Sequence, residues 1–202
     1  MMILLRPDDN ILWAMFRQGN NDALALIYSD HSKKLYLYGL KLTSNRTVIE
    51  DSIQDLFSDL VKNRKNLGDT DNIHFYLIKS FKRKLQRQLQ KESRYDLNSK
   101  VEDFIFDITY SIDHELINKE SADQRMSLLS KALNGLSPRQ KEAVYLKISE
   151  ELEYEQVAEI MEISIESCRN LISKAIKSMK DTLHPKAFGF AVILRKLFTS
   201  GQ

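Results

Sequence analysis

The stretch EELEYEQVAEIMEISIESCRNLISKAIKSMKD, residues 150–181, decides the fold because it predicts two short helices joined by a tight turn. Apolar groups lie on one side of the first helix: Val157, Ala158, Ile160 and Met161. The second helix is predicted to begin at Ser164, whose hydroxyl can accept from an early backbone N–H. Along it, apolar residues recur at steps of three and four as one buried stripe: Ile165, Cys168, Ile172, Ala175, Met179 and Leu183. The pattern predicts a helix-turn-helix.

The opposite face of the second helix is polar, with Arg169, Asn170, Ser173 and Lys174 among its residues. Such a face can contact base edges and phosphates in a major groove, which is wide enough to admit a helix. An ordinary helical hairpin with a solvated face has the same spacing. Moreover, Glu162 stands in the turn where many such motifs have Gly, and a left-handed conformation there costs about 1 kcal/mol or more. This stretch alone leaves both interpretations open.

Composition predicts a helical, globular protein, since the 202 residues include six Gly and three Pro. No run of about 18 apolar residues exists to span a membrane, and Met1 to Leu5 lacks the basic region of a secretory signal. We therefore expect a cytoplasmic protein without stable membrane insertion. The single cysteine, Cys168, and His31 are both interpreted as core residues. Because histidines are scattered and no Gly-rich phosphate loop or metal-binding spacing occurs, we expect no enzyme, cofactor or metal.

Charge reverses abruptly near the middle of the chain, although the net charge is only +2. Residues 79–94 hold seven cations and one anion, whereas residues 96–118 hold six anions and one cation. Such a reversal indicates a domain boundary. The predicted architecture is all-α, with a helical domain at 8–95, an acidic linker at 96–118, a second helical domain at 119–184 and a tail at 185–202. The apolar tail could be a packing helix, a partner-binding helix or a surface anchor.

Four further helix starts are predicted, three of them from capping residues. Asp22 is expected to cap the second helix, and Thr47 with Glu50 is expected to form a capping box on the third. A fourth helix should start near Asn72, and the segment Ser137-Pro138-Arg139-Gln140 has the residues of a strong start signal.

Two of these helices have charged faces of opposite sign. The third has an acidic face that includes Asp51, Gln54 and Asp55. Such a face is either simply exposed to solvent or a docking surface for a basic partner. In the fourth, the inward positions Phe75, Ile78, Phe81, Leu85 and Leu89 predict an outward cationic surface at Lys79, Lys82, Arg83, Arg87 and Lys91. Such a surface gains most from meeting nucleic-acid phosphates.

The order of these segments resembles bacterial RNA polymerase sigma factors of the extracytoplasmic-function type, within the sigma-70 family. The resemblance covers roughly Asp22 to Leu183 and rests on four phrases: Ile49–Phe57 (IEDSIQDLF), Phe75–Ser80 (FYLIKS), Leu136–Val144 (LSPRQKEAV) and Tyr154–Met161 with Ser164–Ile172 (YEQVAEIM and SIESCRNLI). Many relatives have Trp near Val61 and Asn where this chain has Arg83, so the resemblance leaves the base-reading residue of the fourth helix open.

The resemblance implies functions for each surface. The two domains correspond to sigma regions 2 and 4, with core RNA polymerase and promoter DNA as partners and no catalysis. Asp51, Gln54 and Asp55 are implied to bind the polymerase clamp helices, and Lys79, Lys82, Arg83 and Arg87 the minus-ten element. The implied contacts with the minus-thirty-five element are Arg169, Asn170, Ser173 and Lys174, supported by Arg139, Tyr154 and Glu155. The sequence does not decide whether an anti-sigma factor also binds.

The alternative function is a stand-alone helix-turn-helix transcription regulator that binds duplex DNA without polymerase. That alternative leaves the acidic face around Asp51 and the separate cationic helix unexplained. A helical nuclease or phosphotransferase would need a catalytic cluster, and a protein-interaction adaptor would show no salt-dependent affinity for DNA.

Overall fold

The structure is a computed structural model that describes residues 7–95, 106 and 132–183, with the side chains of 93–95 and 183 left out. The chain divides into two compact units, Met1–Phe104 and Ile105–Gln202. Within the described ranges the structure has seven α-helices with complete bounds, one 3-10 turn and no strand. The predicted all-α class with two helical domains is confirmed. None of the described helices is both long and apolar enough to cross a bilayer.

The first unit contains four of these helices. They are α1 (Asp9–Arg17), α2 (Asn21–Leu42), α3 (Arg46–Asn63) and α4 (Ile73–Tyr95), with the 3-10 turn at Arg64–Asn66. An asparagine side chain accepts from the backbone N–H three residues later at three helix starts: Asn20 from Ala23 at 3.0 Å, Asn45 from Val48 at 3.3 Å and Asn72 from Phe75 at 2.8 Å. The predicted start near Asn72 is therefore confirmed.

The predicted caps of α2 and α3 are wrong. Asp22 is the second residue of α2, so its carboxylate still lies near the positive end of the helix dipole. Thr47 likewise lies inside α3, so it cannot form a capping box with Glu50. The physical reason is that Asn20 and Asn45, just outside the two helices, are themselves among the most favourable N-cap residues.

Aromatic side chains fill the core of the first unit. Trp13, Phe16, Tyr38 and Phe81 are almost completely buried, and Trp13 Nε1 donates to the carbonyl of Gly68 at 2.8 Å. At Gly39 on α2, an added Cβ would lie 2.8 Å from Ile49 Cγ2 on α3 and 3.0 Å from Phe81 Cζ on α4. Glycine there permits α2 to approach α3 and α4 at one point.

The second unit contains α5 (Pro138–Ile148), α6 (Tyr154–Met161) and α7 (Ile165–Leu183). The predicted capping box of α5 is confirmed, because the N–H of Gln140 donates to Ser137 Oγ at 3.3 Å and the N–H of Ser137 donates to Gln140 Oε1 at 2.9 Å. Of the helix predicted over 120–133, only the end is described, where residues 132–134 are helical.

Phe106 is the single described residue of the predicted linker. Its side chain is 1% exposed, and its ring centroid lies 5.6 Å from that of Tyr145 on α5. Burial raises the pKa of Tyr145, and its hydrogen-bonded neighbour Glu150 raises it further. The side chain of Phe106 therefore packs against α5 within the second unit. The rest of 96–118 and the tail at 185–202 lie outside the described residues, so the predicted domain limits stay predictions.

Candidate nucleic-acid and protein interfaces

Helices α6 and α7 form the predicted helix-turn-helix. Between them Glu162 has φ 54° and ψ 47°, a left-handed conformation in a residue other than glycine. The predicted start of α7 is confirmed, because Ser164 Oγ accepts from the N–H of Ser167 at 3.1 Å. The turn therefore keeps the geometry for which many such motifs use glycine, at the cost that the sequence predicted.

The two faces of α7 divide largely as predicted. The side chains of Cys168, Ile172, Ala175 and Met179 are buried, whereas Ile165, the first residue of the helix, is 41% exposed. The side chain of Leu183 lies outside the described residues. Cys168 is a core residue, and burial raises the pKa of its thiol. The predicted DNA contacts Arg169, Asn170, Ser173 and Lys174 are all exposed. A continuous polar face is thus available to an external ligand.

Three of the residues predicted to serve recognition of the minus-thirty-five (upstream) element lie together. A nitrogen of Arg169 donates to Glu155 Oε1 at 3.4 Å, and the guanidinium carbon of Arg169 lies 5.5 Å from the ring centroid of Tyr154. The same ring has Lys147 Nζ at 4.9 Å. Arg139 is exposed in the first turn of α5. The sequence did not single out Lys147, because nothing in its local pattern shows that the chain folds it against Tyr154.

The cationic surface of α4 is narrower than predicted. Arg83, Arg87 and Lys91 are exposed, and Lys79 is half-buried with its Nζ 5.9 Å from the ring of Phe75. The prediction that Lys82 faces outward is wrong, since its residue exposure is 8%. Lys82 follows Ile78 by four positions and precedes Leu85 by three, so its stem covers the flank of the apolar stripe.

The acidic face of α3 is partly engaged with α4. Asp51, Gln54 and Asp55 are all exposed, as expected for a docking surface. Gln88 on α4 connects the two helices, because its Nε2 donates to Asp55 at 3.1 Å and its Oε1 accepts from Ser52 Oγ at 2.8 Å. One turn further along, Lys84 Nζ donates to Asp59 at 2.5 Å, and this hydrogen bond lowers the pKa of Asp59.

A groove between α2 and α3 lies beside this acidic face and was not predicted. Its volume is about 1070 Å³, and its lining includes Leu24, Tyr28, Gln54, Phe57 and Val61. The exposed ring of Tyr28 packs edge-on against Phe57, with centroids 4.8 Å apart. Because Tyr28 and Phe57 belong to different helices, the groove forms only where α2 packs against α3.

Histidines lie together at one place in the described residues. His31 is 3% exposed, as predicted for a core histidine, and its Nδ1 lies 3.3 Å from Nδ1 of His74. The pKa of His31 is lowered to about 4, chiefly by burial and also by the nearby His74 and Lys34, whereas Asp30 and Asp9 oppose the shift. Within the described ranges, no group of three or more His, Cys, Asp or Glu residues has the arrangement of a metal site.

Comparisons with known proteins agree with these features. Residues 126–179 match the family model of Sigma-70, region 4. CnrH, solved in complex with the cytosolic domain of CnrY, is similar over 90% of this chain and 100% of its own, with 14% identity and a TM-score of 0.54. The sigma factor RpoE, solved with the anti-sigma factor NepR from Bartonella quintana, is similar over 82% of this chain and 97% of its own, with 22% identity and a TM-score of 0.55. No curated protein matches the sequence.

Proposed function

We propose that this chain is a sigma factor of the sigma-70 family and of the extracytoplasmic-function type. In this proposal it binds core RNA polymerase in the cytoplasm and directs promoter-specific initiation. It supplies sequence recognition and leaves RNA synthesis to the polymerase. The single observation that carries the proposal is the coincidence of the region 4 match with a helix-turn-helix. The exposed face of its second helix carries Arg169, Asn170, Ser173 and Lys174.

In this proposal the second unit reads the minus-thirty-five element. The second helix of a helix-turn-helix enters the major groove and contacts base edges there. Arg169 and Asn170 have the side chains that form bidentate contacts with guanine and adenine, respectively. Ser173, Lys174 and Arg139 would fix the orientation through the backbone phosphates, which carry no sequence information of their own.

The first unit would hold both the polymerase and the minus-ten element. Asp51, Gln54 and Asp55 on α3 would form one edge of the surface that binds polymerase. The apolar groove between α2 and α3 adds area that a helical partner can bury. On α4, Lys79, Arg83 and Arg87 would contact the single-stranded DNA. We leave Lys82 out of this set because its side chain is buried.

An anti-sigma protein is a further partner in this proposal. The similar RpoE was solved with an anti-sigma factor, and the fold similarity extends over most of both chains. A protein of that kind would act by covering surfaces that the polymerase needs.

The decisive experiment is transcription in vitro with core polymerase, the purified chain and a library of genomic fragments. We expect RNA to start at defined sites preceded by two shared sequence elements. Binding of specific duplex DNA by the chain alone, with no dependence of transcription on it, would instead identify a stand-alone regulator. Absence of both results contradicts the proposal.

Two sets of variants test the division of labour between the units. Arg169→Ala should weaken recognition of the upstream element by about 1 to 3 kcal/mol, or roughly 5- to 150-fold, and leave polymerase association unchanged. Lys180→Ala, an exposed cation about three turns further along α7, is the matched control. An equal loss of DNA and polymerase binding for Arg169→Ala contradicts the assignment.

The complementary variant combines Asp51→Ala with Gln54→Ala. It should lower association with core polymerase at least about tenfold while the chain stays folded, since both side chains are exposed. Asp71→Ala removes an exposed acid from a loop of the same unit and serves as the control. Normal capture of polymerase by the double variant shows that α3 is not the docking helix.

A further inference from the structure

Three consecutive residues at the start of α6 hold one cation from each flanking helix. Lys147, near the end of α5, donates to Glu153 Oε2 at 3.1 Å, and Arg169 on α7 donates to Glu155 Oε1 at 3.4 Å. Both cations also approach the ring of Tyr154 between these carboxylates, at 4.9 Å for Lys147 Nζ and 5.5 Å for the Arg169 guanidinium carbon. One aromatic ring therefore contacts two cations from two different helices.

Stability of the second unit does not explain this arrangement. The side chains of Glu153, Glu155 and Arg169 are 70%, 57% and 62% exposed, whereas that of Lys147 is 23% exposed, and ion pairs with exposed partners add little to stability. Tyr154 is half-buried, and a cation over such a ring adds only a small further stabilisation. The contacts do restrict how far each cation can rotate away from the surface.

Restricting Arg169 before it binds has a consequence for affinity. A free arginine side chain samples many rotamers, and part of this rotamer entropy is lost when its guanidinium is fixed by a ligand. A side chain that is already ordered loses less on binding. Glu155 and Tyr154 approach Arg169 from the preceding helix, so they hold the guanidinium on the side of α7 that faces α6.

We propose that Tyr154 is a positioning residue for DNA recognition, which orders Arg169 and Lys147 before the upstream promoter element is bound. The inference rests on the proposed function, because it takes promoter DNA as the ligand. Arg169 supplies the contact with a base edge, and Lys147, held by the same ring, supplies a contact with the adjacent phosphate. Tyr154 acts through these two side chains.

The first test needs no DNA. In NMR spectra of the free chain, the Arg169 side-chain resonances should be shifted by the ring current of Tyr154. Tyr154→Phe should keep the shift because it keeps the ring, and Tyr154→Leu should abolish it. Unshifted Arg169 resonances in the unmodified chain overturn the proposed contact, whatever the chain does with promoters.

The second test is a double-mutant cycle with holoenzyme on a promoter fragment from the transcription experiment. Tyr154→Leu should weaken binding about fivefold, mainly through faster dissociation, whereas Tyr154→Phe should remain within about twofold. In the Arg169→Ala background the loss caused by Tyr154→Leu should shrink to less than about twofold, since only the phosphate contact of Lys147 is then left to position. A merely structural Tyr154 would weaken binding by the same factor in both backgrounds.

These outcomes separate the inference from the function on which it rests. Equal losses in the two backgrounds, with normal promoter binding by the unmodified holoenzyme, overturn the positioning role and leave the sigma-factor proposal intact. Absence of promoter binding by the unmodified holoenzyme overturns both. The salt dependence adds a check on Lys147, because Lys147→Ala should lower the slope of log affinity against log salt by about one.

Discussion

Replacing Gly39 with alanine should destabilise the first unit, although glycine in a helix interior usually lowers stability. In an open helix, Gly→Ala would contribute about 1 kcal/mol of added stability. Here the new Cβ would lie 2.8 Å from Ile49 Cγ2 and 3.0 Å from Phe81 Cζ, well inside the 3.5 to 4.0 Å of ordinary carbon contact. Ile49 and Phe81 are completely buried, so neither can move into solvent.

Overpacking of this kind costs typically 1 to 3 kcal/mol, and two close neighbours favour the upper end. After the helix gain is subtracted, we expect a net loss of about 2 kcal/mol. Trp13 is the single tryptophan and is buried in the first unit, so its fluorescence follows the unfolding of that unit in urea. Ser29→Ala, at an exposed position of α2, is the control and should change stability by less than about 0.5 kcal/mol.

A second substitution tests whether the contact is the cause. Ile49→Ala alone should cost about 2 to 5 kcal/mol because it leaves a cavity. The double variant should lose less stability than the sum of the two single losses, because the methyl group added at Gly39 then occupies part of the cavity left by Ile49→Ala. The coupling free energy between the two substitutions should exceed about 1 kcal/mol. A stabilising Gly39→Ala, or additive effects of the two substitutions, would refute the reasoning.

Three further predictions concern a turn, a titrating group and the linker. Glu162→Gly should stabilise the second unit by about 0.5 to 1 kcal/mol in urea unfolding followed by circular dichroism, because it relieves a left-handed conformation; an equal gain from Glu162→Ala would contradict this cause. The first unit should lose up to about 3 kcal/mol of stability as the pH falls from 6.5, the pKa of His31 in the unfolded chain, to about 4, its pKa in the folded chain. The reason is that the folded state binds fewer protons than the unfolded state over this range. The free energy of unfolding, followed by Trp13 fluorescence in urea, should depend less on pH in His31→Gln than in the unmodified chain. Identical slopes of stability against pH in the two proteins would exclude His31 as the source. Phe106→Ala should destabilise the second unit by about 3 kcal/mol and leave the Trp13 transition unchanged; an unchanged dichroism transition would show that Phe106 adds nothing to that core.

The sequence predicts the parts of this protein that depend on neighbours along the chain. The stripe from Cys168 to Met179 indicates which face of α7 is buried, and Ser137 with Gln140 indicates where α5 begins. The predicted caps of α2 and α3 were wrong because several adjacent residues in each segment can cap a helix. Which of them does so depends on where the preceding turn ends.

Features that depend on how helices cross could not be predicted. Lys82 carries a charge, so its sequence pattern gives no sign that its stem covers the core of the first unit. The groove beside Tyr28 exists because of the angle between α2 and α3. Likewise, Tyr154 meets Lys147 and Arg169 only after three helices have packed, since the two cations stand 7 and 15 residues away from it.

The hydrogen bonds that connect α3 with α4 tie a protein-binding surface to a nucleic-acid-binding one. Asp55 stands on the proposed polymerase face, yet it accepts from Gln88 on the helix proposed to meet the single strand. A partner that draws Asp55 away from Gln88 frees an amide beside Arg87. Thermodynamic reciprocity then requires that a DNA strand engaging this amide change the affinity for that partner by the same factor. Holoenzyme assembly and strand capture would thus be energetically linked through one shared carboxylate.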